Sequence, residues 1–340
     1  MTKILSLNRF QEIISKFNDV SPILVFGDVG IDKYTYGDVK RISPEAPVPV
    51  LEVTKEWLKL GLAANISHNL KTLGVDSTLC GVVGNDLHAD RFETLLEDED
   101  LKTWGIVRTN KKPTIYKERI TTNVQQICRI DYEKTGLIDD ETQRKLISRA
   151  DEFMESHSCV IIEDYAKGTL SEELIHKLIV EAKNKGKIVA VDPGKQTPPM
   201  FYKGASLLKP NYSESCAMVK ALGYNETEVE KIIEILVDKL QLDKIVVTLG
   251  AKGMALMDRA VHKAPIIIPT VANEVFDVSG AGDTAHSALT LALLSGASLE
   301  EAAWVANCAS GVVVGKKGTA TVNLVELYQF FEVVHKKLKG

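Results

Sequence analysis

Short runs of β-branched and aliphatic residues alternate along the chain with longer stretches in which apolar positions recur every three or four residues. The runs fall at 23–26, 160–162, 188–191 and 245–248; the helical spacing fills 171–185 and 227–240, with Ser171 and Thr227 placed as N-caps. That alternation predicts an α/β fold with an open, mostly parallel sheet flanked by helices. Polar residues closely follow several apolar runs: Asp28, Asp164, Asp192, Asn211 and Thr248. Parallel strands point their carboxyl ends one way, so these groups gather along one edge, where open sheets place their ligand crevice. Polar residues also end strands in ordinary turns, and that reading stays open for each of them.

Two segments break the rhythm. Residues 33–58 contain Pro44, Pro47 and Pro49, which exclude helix and central strand alike. Residues 114–132 are rich in Thr, Ile, Tyr and Val without helical periodicity. Together they predict a small β lid outside the main sheet. With no internal repeat or interdomain linker, residues 1–340 read as a single domain.

Composition narrows the classes. Forty-one basic and 46 acidic residues give a net charge of -5 with no basic run, so neither nucleic acid nor a membrane surface is expected as a partner. The five cysteines are scattered without a C-x-x-C pair, which fits a reducing compartment better than a disulfide framework or a zinc site. Near the start, Phe10, Ile13, Ile14 and Phe17 sit at helical spacing among polar residues, unlike a signal peptide, and the apolar run 288–294 is far short of the ~20 residues that span a membrane. A cytoplasmic location is expected.

The most informative stretch is Phe276-Asp-Val-Ser-Gly-Ala-Gly-Asp-Thr-Ala-His, which leads into an apolar helix predicted over 284–294. Gly280 and Gly282 permit close backbone approach, and the amides of a helix N-terminus favour an anion there. Asp283 would repel a resting phosphate unless it served the chemistry. As a general base it takes a proton from an attacking hydroxyl while the amides stabilise a moving phosphoryl group. A first-turn carboxylate also simply stabilises a helix N-terminus. Gly280 to Ala285 satisfies the dinucleotide fingerprint G-x-G-x-x-G/A, yet Glu300, about 20 positions on, lies in a helical pattern rather than at a strand end. Gly311-Val-Val-Val-Gly-Lys-Lys has one residue too few for a P-loop and no Ser or Thr after its first lysine.

Asp277-Val-Ser-Gly-Ala-Gly-Asp-Thr, the segment Gly61 to Asn65 and Pro210-Asn-Tyr-Ser-Glu resemble the ribokinase-like sugar kinases, or PfkB family, over nearly the whole chain. Within that family, Gly27-Asp-Val-Gly-Ile-Asp-Lys-Tyr, Arg41-Ile-Ser-Pro-Glu-Ala-Pro-Val-Pro-Val, Asn123-Val-Gln-Gln-Ile-Cys-Arg-Ile-Asp and Asp164-Tyr-Ala-Lys-Gly look like heptose-7-phosphate kinases. Those enzymes phosphorylate O1 of D-glycero-β-D-manno-heptose 7-phosphate with ATP, toward the ADP-heptose of lipopolysaccharide. With no H-x-G-H motif, the chain resembles the stand-alone kinase rather than the fusion with an adenylyltransferase.

The resemblance implies a ribokinase-like fold and a set of roles. Asp283 is the base, and Gly280, Ala281 and Gly282 form the anion hole. Asn211 and Glu214 match the N-x-x-E that organises hydrated Mg2+, a pair that also reads as a helix cap. Thr248, Gly250, Gly253 and Asn307 match positions near ATP. Asp32, Gly61 and Asn65 match the sugar site, with Asp28 nearby. Arg41, Lys117, Arg119 and Arg129 are candidates for the substrate phosphate, Lys117 and Arg119 sharing one strand face. Mg2+, a monovalent cation and a homodimer paired through the lid are implied as well. Two positions depart from the family. Leu62 stands where a second glycine is usual, which makes another sugar or sugar phosphate a competing substrate. Ala285-His286 replaces the usual Phe, which predicts a packing change. A nucleotide- or sugar-binding regulator without catalysis is the alternative of another class.

Overall fold

The computed structural model describes residues 5–272, 276–316 and 318–339. Residues 1–4 and 340 of the expected domain, and Lys317 of the glycine-lysine run, lie outside the described residues. In chain order the strands are β1 (Ile23–Gly27), β2 (Val29–Ile42), β3 (Pro49–Leu62), β4 (Ser77–Gly84), β5 (Ile106–Thr109), β6 (Ile115–Thr121), β7 (Gln126–Tyr132), β8 (Cys159–Glu163), β9 (Ile188–Asp192), β10 (Leu207–Leu208), β11 (Lys244–Thr248), β12 (Met254–Asp258) and β13 (Ile266–Ile268).

Nine of them form the central sheet in the order β13-β12-β11-β10-β9-β8-β1-β4-β5. The pairs from β11 to β5 are parallel, and β12 and β13 close the far side antiparallel. Successive side chains of β1 show why helices must cover both faces: Ile23 and Val25 enter one apolar layer, Leu24 and Phe26 the other. The first layer packs the helices Leu7–Ser15, Ala63–Thr72, Ala281–Leu294, Leu299–Val314 and Leu324–Lys339, the second those at Asp140–Phe153, Glu172–Asn184 and Val229–Leu240. Phe10, Ile13 and Ile14 bury the stripe expected of the first helix. Among the described residues, no helix is long and apolar enough to cross a membrane.

Ser171 caps the helix Glu172–Asn184, its side chain accepting from the Leu174 amide. Thr227 is not a cap. That helix starts at Val229, and the Glu226 carboxylate takes the amides of Thr227 and Glu228 instead, because its longer side chain reaches both. The helix expected from 284 begins three residues earlier, at Ala281.

The lid is a separate four-stranded sheet, β3-β2-β6-β7. It spans 29–62 and 115–132, wider than the expected 33–58. Pro44 and Pro47 lie in the hairpin tip and Pro49 opens the edge strand β3, where a missing amide donor costs little. One residue, Asp28, separates β1 from β2, and β3 runs directly into the helix Ala63–Thr72, so the lid rises from the carboxyl edge of the central sheet.

Candidate active site

The helix Ala281–Leu294 starts against that edge. Gly280 adopts φ 78°, and a Cβ there would lie 2.9 Å from both Asn65 Nδ2 and Thr319 Cγ2, so the turn needs glycine for conformation and for space. The Ala281 amide donates to the Val278 carbonyl at 3.2 Å within this turn. A Cβ on Gly282 would meet only Lys209 Nζ at 3.9 Å, so backbone and cavity are in close reach there.

Asp283, in the first turn, is buried. Asn65 Nδ2 donates to its Oδ2 at 2.6 Å and the Tyr165 hydroxyl to its Oδ1 at 3.0 Å. Burial pushes the carboxyl up to about 6; the Asn65 bond opposes this, Asp192 adds to it, and Tyr165 and Lys209 oppose it. A carboxylate with that value is ionised at neutral pH and still basic enough to take a proton. Asn65 is fixed in turn. Its carbonyl accepts from Asn69 Nδ2 at 2.8 Å, and Asn69 Oδ1 accepts from the Thr284 hydroxyl at 2.7 Å, tying the helix Ala63–Thr72 to the helix that carries Asp283.

Beside Asp283 opens a cavity of about 320 Å³ lined by Asp164, Asp192, Lys209, Asn211 and Thr248 among others. Four of the five strand-end groups expected along this edge therefore do meet. Lys209, which the sequence did not single out, donates to Asp192 Oδ2 at 2.5 Å. Asn211 and Glu214 form a capping box: Glu214 N donates to Asn211 Oδ1 at 2.9 Å and Asn211 N to Glu214 Oε2 at 2.8 Å. Burial holds the Glu214 carboxyl above its ordinary range. Only one of its oxygens serves the cap, and Glu214 lines the cavity, so its other oxygen suits a hydrated hard cation held through water.

The remaining positions expected near ATP form one turn system. Thr248 N donates to the Pro210 carbonyl at 3.0 Å, linking β11 to Asn211. Gly250 and Gly253 have φ 58° and 96°, and a Cβ on Gly253 would fall 2.0 Å from the Ile268 carbonyl. Asn307 Nδ2 donates to the Pro269 carbonyl at 2.7 Å, which pins the segment leading out of β13.

The other expected substrate residues lie on the lid and the strand end at its foot. Arg119 pairs with Asp32 at 2.6 Å and lies over the Tyr34 ring, and Gly61 leaves room for the Asp32 carboxylate, 3.2 Å from where a Cβ would be. Lys117 is opposite Asp32 in register and shares its face with Arg119, as expected. It lies 3.5 Å from Glu133 and 3.9 Å from Asp131. Arg129, opposite Arg119 in β7, pairs with Asp131 at 2.9 Å. Arg41 is exposed near the hairpin tip, nine residues along β2 from Asp32, and is not brought to the others. Asp28 is fully buried, and its carboxylate accepts the amides of Tyr165, Lys167 and Thr169 at 3.2, 2.9 and 3.1 Å. Those bonds place it beneath the loop that presents Tyr165. Lys59, a second residue not anticipated, is half-buried on the Asp32 side of the lid and donates to the Thr319 carbonyl.

The family model for pfkB carbohydrate kinases matches residues 23–326. The chain is 40% identical over 305 residues to the bifunctional protein HldE of Haemophilus influenzae and 39% identical over 316 residues to that of Helicobacter pylori. These matches cover 90% and 93% of this chain but 62% and 67% of the relatives, so the chain spans about two thirds of their length. Among solved structures, ribokinase of Arabidopsis thaliana with ribose and ATP superposes with a TM-score of 0.70 at 21% identity, covering 92% of this chain and 99% of that one. Phosphofructokinase-2 of Escherichia coli gives 0.74 at 21% identity, covering 93% and 99%. The fold is therefore ribokinase-like, and the chain belongs to the pfkB family of carbohydrate kinases.

Proposed function

We propose that this chain transfers the γ-phosphoryl group of ATP to O1 of D-glycero-β-D-manno-heptose 7-phosphate, in the cytoplasm and as a homodimer paired through its lid. The single observation that carries the reaction type is the Asp283 carboxylate, buried between Asn65 and Tyr165 at a helix N-terminus beside the cavity. The identity of 39–40% to HldE proteins over their matched part favours the heptose phosphate.

Asp283 accepts the proton of the attacking hydroxyl, and its two hydrogen bonds hold the carboxylate in one orientation. The turn around Gly280 and Gly282 offers main-chain amides to the moving phosphoryl group, and Lys209 adds positive charge on the same wall. Glu214 and Asn211 would hold a hydrated Mg2+, which would supply positive charge to the nucleotide phosphates. Asp32 and Asn65 orient the sugar. Arg119 and Lys117 meet the substrate phosphate, exchanging their lid carboxylate partners for it. The lid keeps out water, which would otherwise compete as nucleophile.

Leu62, at the foot of the lid, supports a second reading in which the acceptor is another sugar or sugar phosphate. Coupled ADP release with Mg-ATP against a panel of sugars and sugar phosphates tests both. Rapid release with heptose 7-phosphate alone is the expected result. Rapid release with a different sugar selects the second reading, and sugar or nucleotide binding without release overturns both.

A further inference from the structure

Beneath Asp283 lies a cluster of side chains of which the transfer reaction uses only Lys209. Glu163 and Asp192 face each other in register at the ends of β8 and β9, Lys209 follows β10, and His286 stands three residues beyond Asp283 on its helix. Glu163, Lys209 and His286 are 3%, 2% and 0% exposed. His286 Nδ1 lies 3.1 Å from Glu163 Oε2, and the ligating atoms of Glu163, Asp192 and His286 all fall within 4.8 Å of one another.

Such a cluster holds either a metal ion or a proton. Lys209 decides between them: its ammonium already sits on Asp192 and repels a second cation. That one positive charge balances one of the two carboxylates, and the other is left in a buried site beside a like charge, where ionisation is strongly disfavoured. The hydrogen-bond pattern agrees. His286 Nε2 has no partner. A bare lone pair there costs less than an orphaned N–H, so the imidazole proton sits on Nδ1 and is donated to Glu163. Glu163 Oε2 thus acts as acceptor, and the other oxygen carries a proton toward Asp192.

Resting on the kinase reading above, we propose that Glu163 is a protonated positioning residue, which holds a proton at neutral pH between Asp192 and His286 and so keeps a second negative charge away from the base Asp283. The charged and titratable groups around it are Asp192 from β9, Lys209 after β10, Tyr165 from the loop after β8, Glu214 from the helix Tyr212–Ala221, and Asp283 and His286 from the helix Ala281–Leu294. Burial first, then Asp192 and Asp283, hold its carboxyl well above the ordinary range, and burial holds His286 well below its own, so the imidazole is neutral. Once Glu163 ionises at higher pH, the new charge faces both Asp283 and the incoming phosphates, and turnover falls.

Infrared spectroscopy of the protein alone in D2O, at about pH 7.5 where an ordinary carboxyl is ionised, reads the proton directly. The expected spectrum has a carboxylic-acid C=O band that Glu163→Gln removes and His286→Phe shifts in frequency, while His286→Gln, which keeps an amide donor, restores the position. Absence of that band from the wild type, its persistence in Glu163→Gln, or a stoichiometric metal ion retained through dialysis overturns the proposal. This arm needs no substrate, so it stands or falls separately from the kinase reading, and absence of the band from the wild type overturns the proposal even if a variant does not fold. In the kinetic arm, the alkaline limb of kcat/KM moves up by about one pH unit or more in Glu163→Gln with the acid limb in place. An unmoved alkaline limb contradicts the proposed charge effect.

Discussion

A carboxylate that must accept a proton near neutral pH has to be taken out of water, and Asp283 pays in stability for that placement. Its folded value of about 6 lies above the ordinary 3.8. The stabilising difference is complete below the ordinary value and is lost as pH rises through 6, because the native state then holds a buried charge that the unfolded chain holds in water. Asp283→Asn removes that cost. Thermal melts should show the variant gaining on the wild type between pH 4 and pH 8, by an amount on the order of 1–3 kcal/mol. A constant offset across that range would contradict the buried-charge account. Asp283 and its glycine turn were legible because polar groups at that spacing have a chemical reason to be there. The roles of Tyr165, Lys209, Glu163 and His286 were not: Tyr165 was visible only within a motif and His286 only as a packing change, and it is the folding of the strand ends against the helix Ala281–Leu294 that brings the four together.

At the level of elements, the junction between β3 and the helix Ala63–Thr72 couples the lid to the helix that carries Asp283. Leu62 caps that helix at φ 59°, ψ -139°, a region that favours glycine. Leu62→Gly and Leu62→Ala both delete the side chain, but only glycine relieves the backbone. Leu62→Gly should therefore be the more stable of the two by about 1 kcal/mol in urea unfolding. Equal stabilities would remove the strain. The unusual residue was visible in the sequence, its conformation was not. The same limit holds for strands. The apolar runs beginning β1, β8 and β9 predicted themselves to within a residue or two, whereas β10 has two residues and β4 is interrupted by Cys80 and Gly81, too little pattern for either.

For the whole molecule, the lid sheet leaves Ile42, Val48 and Val53 exposed at 60%, 51% and 55% toward its outer end. An exposed edge with apolar side chains invites pairing. Light scattering should give twice the 37.4 kDa chain mass, and Ile42→Lys with Val53→Lys should shift it toward the monomer; a wild-type protein that is monomeric at every concentration contradicts the lid dimer. The order of the layers was legible from alternation of strand and helix, but the docking of the helix that follows the lid against the helix of Asp283 depends on contacts more than two hundred residues apart, such as Asn65 with Asp283.

The most direct test of the account is steady-state ADP release by Asp283→Asn beside the wild type, with calorimetric titration of ATP on both proteins. The account predicts kcat lower by about 10² to 10⁴ with ATP affinity nearly intact, since the variant loses only the proton acceptor. Wild-type turnover in Asp283→Asn would contradict it.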